Sequence, residues 1–161
     1  KSPPTGRLPG HGKTKVSSKL SALAYVSRAT EQLDSTRLRS LLADAIEFNG
    51  KHDLSGALVF DGSCFFQYIE GPRGSLSEAV SRIRASRSHV VLLHLMDGPV
   101  AARRFEGWEM FYRDGAASGI EGLNWLLGRE PQGDLKRDLV ANSLSYFWRN
   151  FDKDISPARQ I

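Results

Sequence analysis

One carboxamide interrupts a segment that is otherwise apolar on both sides. In Ser63-Cys-Phe-Phe-Gln-Tyr-Ile-Glu70, a strand would point Phe65, Gln67 and Ile69 to one face and Cys64, Phe66 and Tyr68 to the other. The Gln67 amide is then desolvated, and its two donors and one carbonyl need partners. Leaving them unpaired costs about 1–3 kcal/mol. Backbone or water could satisfy them, and so could a ligand head group rich in carbonyls and ring nitrogens. Tyr25 poses the same question, because a buried phenol wants a partner for its hydroxyl. Asn49 stands beside Gly50 at the end of an apolar-periodic stretch. It is either a helix cap or a reader of an imide edge, where one N–H lies between two carbonyls. Trp108 and Met110, two apart on an expected strand, share a face there. They pack a core, or they wall a pocket for a planar ligand.

Other chemistries find no support. The chain has no GxSxG, Walker loop, GxGxxG or HExxH. Cys64, the one cysteine, lies in a strand beside Phe65 and reads as core rather than nucleophile. His11, His52, His89 and His94 have no ligand-like spacing, so no metal site is expected.

The elements that must position these residues follow from periodicity. Residues 20–26 form an apolar strand. Asp34 offers an N-cap for a helix carrying Leu38, Leu41, Leu42, Ala45 and Ile46 up to a C-cap signal at Gly50. Residues 56–60 and 63–70 make a hairpin around Asp61-Gly62. Ser75-x-x-Glu78 is a capping box for a second helix with Leu76, Ala79, Val80 and Ile83 on one side. Residues 89–96 are rich in Val and Leu and read as a central strand buried on both faces. Residues 108–112 read as a last strand. The order β-α-β-β-α-β plus one strand predicts an α+β, ferredoxin-like fold with two helices on one sheet face. Two further helices, near 120–127 and 135–151, carry enough apolar side chains to require a partner surface. That surface is the open sheet face or a second subunit.

The chain has 161 residues, 40% apolar and 25% charged, enough for one domain without disulfide staples. Its net charge of +4 is local: residues 1–19 hold five bases and no acid, and the rest hold 17 bases against 18 acids. The tail at 1–18 is rich in Pro, Gly and Ser and reads as disordered. A linker or processed end suits it better than an arm for nucleic acid or anionic lipid. No apolar run approaches a bilayer's thickness, and no apolar segment follows the basic N-terminus as in a signal peptide. A cytoplasmic setting is expected, with the folded unit at 19–114 and a helical extension at 115–161.

Taken together, Tyr25, Asn49, Gln67, Trp108 and Met110 resemble the BLUF domain, the blue-light sensor that binds FAD. The likeness includes Ala24-Tyr-Val-Ser27, Leu54-Ser-Gly-Ala-Leu-Val-Phe-Asp-Gly62, Phe65-Phe-Gln-Tyr-Ile-Glu-Gly-Pro72 and Arg104-Phe-Glu-Gly-Trp-Glu-Met110. The resemblance implies a flavin ring between the two helices, over the sheet. It places Gln67 between Tyr25 and the flavin N5/C4=O edge, with Asn49 on the C4=O and N3–H edge. It puts Trp108 and Met110 at the flank. Leu41, Ala45, Leu58, Phe65 and Ile83 match apolar lining positions, and Arg82 and His89 match the ribityl and phosphate end. Three departures stand out. Phe48 replaces a frequent polar residue, Ala45 replaces a frequent Ser, and Ser86-Arg-Ser-His89 replaces a frequent Asp-x-Arg-His.

The resemblance implies light sensing rather than catalysis. An electron and a proton leave Tyr25 and return, and the hydrogen bonds around Gln67 rearrange. Output would pass through the C-terminal helices to a downstream protein, from a homo-oligomer, with no nucleic acid or membrane involved. The alternative is a flavin-binding or protein-interaction module on the same fold without light output.

Overall fold

The computed structural model describes residues 19–123, 126 and 131–151. The basic tail therefore lies outside the described residues. Five strands and three helices follow in the order β1 (Leu20–Ala29), α1 (Ser35–Lys51), β2 (Ser55–Phe60), β3 (Cys64–Pro72), α2 (Arg73–Ala85), β4 (His89–Pro99), β5 (Phe111–Asp114) and α3 (Gly133–Arg149). They form one sheet of order β4-β1-β3-β2-β5. The first four strands pair antiparallel, and β5 adds parallel to β2. This is the ferredoxin-like arrangement with an added edge strand.

The β2–β3 hairpin forms where Asp61-Gly62 predicts it. Gly62 takes a positive φ of 94°, which costs glycine no Cβ clash. The Asp61 carboxylate accepts from the N–H groups of Ser63 (2.9 Å) and Cys64 (2.7 Å). Asp34 caps α1 as expected, its carboxylate accepting from the Arg37 N–H at 2.7 Å.

Several local expectations are corrected. Gly50 is inside α1, not after it. The helix runs on to Lys51, and the left-handed residue is Asp53 (φ 53°). The Ser75/Glu78 capping box does not form. α2 already begins at Arg73, behind Pro72, with no side-chain cap. Glu78 instead meets His52 Nε2 at 2.8 Å. Strand β4 is an edge strand, not a central one, and Val90 and His94 are exposed. Its apolar run reflects burial of Leu92, Leu93 and Leu95, which join the core that α3 covers. The last strand begins at Phe111, so Trp108 and Met110 precede it in a loop. Among the described residues of 120–127, residues 121–123 form a turn; the rest of that expected helix lies outside the described residues.

The sheet is covered on both faces by this chain alone. On one face, Ala22, Ala24, Val26, Val59, Phe66 and Tyr68 meet Leu139, Tyr146 and Phe147 of α3, with Phe151 just beyond it. The buried side of α3 is Leu139, Ser143, Tyr146 and Phe147. Helical spacing offers a stripe of Leu135, Leu139, Asn142, Tyr146 and Arg149; of these Leu139 and Tyr146 are buried, while Leu135 (39% exposed), Asn142 and Arg149 face outward. The apolar surplus read as a reason for a second subunit is thus largely taken up by the sheet. On the other face, α2 seats Leu76 and Ala79 against Leu54 and Ile69. α1 offers Leu38, Leu41, Leu42 and Ala45 to Leu58, Phe60, Phe65 and Met110.

Docking of α3 can be tested by truncation. Phe147→Ala removes a ring buried to 2% exposure and should destabilise by about 3–5 kcal/mol in urea unfolding. Leu135→Ala should stay within about 0.5 kcal/mol. Equal effects would contradict the face assigned to α3.

Candidate binding site

α1 is amphipathic, yet Asn49 is its one buried residue. Its leucines are only half-buried because they face a space. Between α1, α2 and the sheet lies a cavity of about 490 Å³, within the usual size of small-molecule sites. The sheet supplies its floor: Tyr25 and Ser27 from β1, Leu58 from β2, Phe65, Gln67 and Ile69 from β3. α1 supplies Arg37, Leu38, Leu41, Ala45, Phe48 and Asn49; α2 and its exit supply Ala79, Arg82, Ile83, Ser86, Ser88 and His89.

Strand register sets the floor. Gln67 pairs directly with Tyr25 on one side and with Leu58 on the other. The Tyr25 hydroxyl donates to Gln67 Oε1. β4 changes register opposite Tyr25, pairing Ala24 with Met96 and Tyr25 with His94, and such irregularities re-aim side chains. Burial pushes the Tyr25 phenol above its ordinary pKa, so it remains a proton donor near neutral pH. With Oε1 engaged, the amide N–H₂ of Gln67 is the part left for a ligand.

The other candidates take distinct places. Asn49 lines the cavity and its Nδ2 donates to the Glu109 carbonyl at 2.7 Å, tying α1 to the loop before β5. Arg82 lies 4.6 Å over the Phe48 ring, whose other neighbour is His52, stacked at 4.0 Å. Phe48 thus fills the place of a polar group while carrying a cation to the cavity wall. Leu41, Ala45, Leu58, Phe65 and Ile83 are apolar lining. Trp108 and Met110 do not share a face. Met110 is buried (7% exposed) beside Leu58, Phe60 and Phe65, behind the cavity lining. Trp108 is 48% exposed and packs on Phe111 at 4.5 Å. Neither lines the cavity itself. Cys64 is core on the α3 face, its thiol pushed up to about 11 by burial. Among the described residues no group of His, Cys, Asp and Glu could hold a metal ion. No helix among them is long and apolar enough to cross a membrane.

Two residues lining the cavity carry a buried polar atom with no partner among the described residues: Ser27 Oγ, on a residue 1% exposed, and His89 Nδ1. Buried polar atoms are normally paired, so these fit a site built for a polar ligand. The set as a whole suits a flavin. It has apolar walls for a flat ring, amide groups for a hydrogen-bonding edge, and hydroxyl and guanidinium groups for a hydroxylated, anionic tail. Ser27 was missed in sequence, although its two-residue spacing from Tyr25 puts it on the same face.

Burial holds the His89 imidazole below its ordinary pKa. The unfolded chain therefore binds this proton first as pH falls through about 6.5. Stability from His89 is present above that pH and is lost below it. His89→Gln should flatten the fall in the urea midpoint between about pH 6.5 and 5. An unchanged slope would mean the ring is not held neutral by burial.

The comparisons agree with this geometry. The family model described as BLUF, sensors of blue-light using FAD, matches residues 20–111. The Escherichia coli (strain K12) blue light- and temperature-regulated antirepressor BluF is 30% identical over 94 residues, covering 57% of this chain and 23% of that protein. Photoactivated adenylate cyclase subunit beta of Euglena longa is 25% identical over 88 residues, covering 55% of this chain and 10% of that one. The chain thus spans a quarter or less of these relatives. Among solved structures, the dark state of the BLUF protein BlrB superposes with TM-score 0.64 at 23% identity, covering 84% of this chain and 97% of that one. Klebsiella pneumoniae BlrP1 with FMN and cyclic diGMP gives 0.56 at 28%, covering 78% and 34%. The likeness to BlrB shows a shared fold. With its family match spanning more than half the chain, this protein belongs to the BLUF family of flavin-using blue-light sensors.

Proposed function

We infer that this protein binds FAD non-covalently between α1 and α2 and uses the Tyr25–Gln67 pair as its light-driven switch. The observation that supports this most is the phenol donating to the Gln67 carbonyl on the cavity floor. A bound flavin would supply blue-light absorption and a strongly oxidising excited state. Tyr25 is the oxidisable group at that floor and can lend an electron and its phenolic proton, then take both back. Gln67 is the group that can be left rearranged. In the arrangement described, its carbonyl accepts from the phenol and its amide N–H₂ is left over. Rotation or tautomerisation would exchange donor and acceptor on both sides. Hydrogen bonding to the ligand edge then changes without any change of covalent structure. Asn49 would hold the imide edge, and Arg82 and His89 the ribityl and phosphate end. Met110, buried behind Leu58 and Phe65, would follow the floor more closely than exposed Trp108.

The chain is read as a sensor unit, residues 19–114, with a helical extension at 115–161 and no catalysis of its own. It would act in the cytoplasm on a separate protein effector. The relatives' own names, an adenylate cyclase subunit and an antirepressor, show that effectors differ among similar proteins. The dark-module alternative predicts a yellow protein whose spectrum light does not change.

Purified protein should release FAD on denaturation, and its absorption should shift reversibly to the red in blue light. Release of FMN alone would correct the cofactor. Gln67→Leu fills similar volume without hydrogen-bonding groups, so it should keep flavin and lose the shift. Tyr25→Phe, which removes one oxygen, should also lose it. A normal lit spectrum from either variant would remove that residue from the switch.

A further inference from the structure

Glu70 has a role that the cavity does not require. It is fully buried, at 0% exposed, on the α3 side of β3. It lies three residues past Gln67, and that odd spacing puts the two side chains on opposite faces of one strand. Its Oε1 accepts from the Phe105 N–H (2.7 Å) and the Ser55 hydroxyl (3.2 Å). Its Oε2 accepts from the Arg104 N–H (2.8 Å) and the Tyr68 hydroxyl (2.9 Å). One carboxylate therefore meets four donors, and two of them are backbone groups of the loop that leads to Trp108 and Met110. Arg103 anchors the same loop, donating to Ser55 Oγ (2.9 Å) and to the Asp53 carbonyl (2.8 Å).

The loop in turn touches α3. The Phe105 ring lies parallel to Trp148, 6.3 Å between centroids, and edge-on to Phe151 at 5.5 Å. The Arg104 guanidinium lies over Trp148 at 4.6 Å. From the cavity side, Asn49 holds the loop's far end through the Glu109 carbonyl. A single strand thus presents Gln67 to the cavity and Glu70 to the loop on which the aromatic end of α3 rests.

The geometry points to Glu70 as the positioning residue that passes a displacement of β3 at Gln67 to the loop and α3. This rests on the sensor reading above. An apolar side chain at position 70 would let the loop slide over the strand. Charge-assisted bonds to fixed donors are short and directional, so a shift of β3 either drags residues 104–105 or breaks their bonds. Both outcomes change the seat of Trp148. A clamp that must be strained or broken in the lit arrangement also opposes it, so releasing the clamp alters how long the lit arrangement at Gln67 persists.

The test uses FAD-loaded protein and Glu70→Gln, which keeps shape but places an N–H₂ against donors. Two readouts are needed: the spectral photocycle, and hydrogen exchange of residues 103–110 and 133–151 in dark and light. The red shift should survive in Glu70→Gln. The light-minus-dark difference in exchange should be lost in both segments, and the dark-recovery rate should change severalfold. Leu139→Val loosens the same face nine residues before Trp148 and without touching the carboxylate, so it measures a merely structural effect and should leave the recovery rate near that of the unaltered protein. Should Glu70→Gln not fold, Tyr68→Phe removes one of the four donors and is read the same way. A light response with undiminished exchange differences and unchanged recovery in the variant would overturn the role of Glu70 and leave the sensor reading intact. Absence of any spectral response in the unaltered protein would overturn both.

Discussion

Strand β3 has no solvent face, and most of the structure follows from that constraint. It lies at the centre of the sheet, between β1 and β2. Its even-period side chains Phe66 and Tyr68 enter the α3 core, while Phe65, Gln67 and Ile69 face α1 and α2. Every polar group on such a strand must find a partner inside the protein or in a ligand. Gln67 takes the phenol of Tyr25, its direct cross-strand neighbour. Glu70 takes two hydroxyls and two loop amides. Gln67 and Glu70 are therefore tied to two different parts of the molecule, the cavity floor and the loop before β5.

The helical layers on the two faces are packed differently. α3 closes its face, with Phe147 and Phe151 buried among Phe66, Tyr68 and Phe105. α1 leaves Leu38, Leu41 and Leu42 half-buried around a cavity. Apolar side chains on a partly open face gain less than full burial would give, roughly 1.5–3 kcal/mol each. A flat apolar ligand recovers part of that difference, and any ligand that binds only the folded state stabilises it by mass action. The helix that forms the wall thus has reason to tighten when the site fills.

The loop 100–110 joins the two faces. Its start is held by Glu70 and Arg103 and its end by Asn49, while the Gly56 N–H donates to the Trp108 carbonyl at 3.1 Å. These anchors come from β3, α1 and β2, so the loop registers the relative position of three elements. Met110 turns inward to Leu58 and Phe65, and Trp108 turns out onto Phe111.

Periodicity and turn chemistry made much of this legible in sequence. The two-residue alternation around Gln67, the Asp61-Gly62 turn, the Asp34 cap and the helical spacing of Leu38 to Ile46 are local signals, and each needs only neighbouring residues to act. The motif residues likewise marked Tyr25, Asn49 and Gln67, which the strand register and α1 bring to one cavity. Whether β4 is central or at an edge depends on strand order, which an apolar run does not encode. Trp108 and Met110 looked like strand neighbours, but anchors from Asn49 and Gly56, over 50 residues away, hold them in a loop. The Ser75/Glu78 pair fitted a capping box, but the chain entering from β3 starts α2 three residues earlier and leaves Glu78 to His52. α3's apolar groups were plain in sequence; the sheet face decided which of them, Tyr146 and Phe147 rather than Leu135, are buried. Short-range sterics and hydrophobic period are written along the chain, whereas strand order, loop anchoring and the partner of a buried charge arise only when distant segments meet.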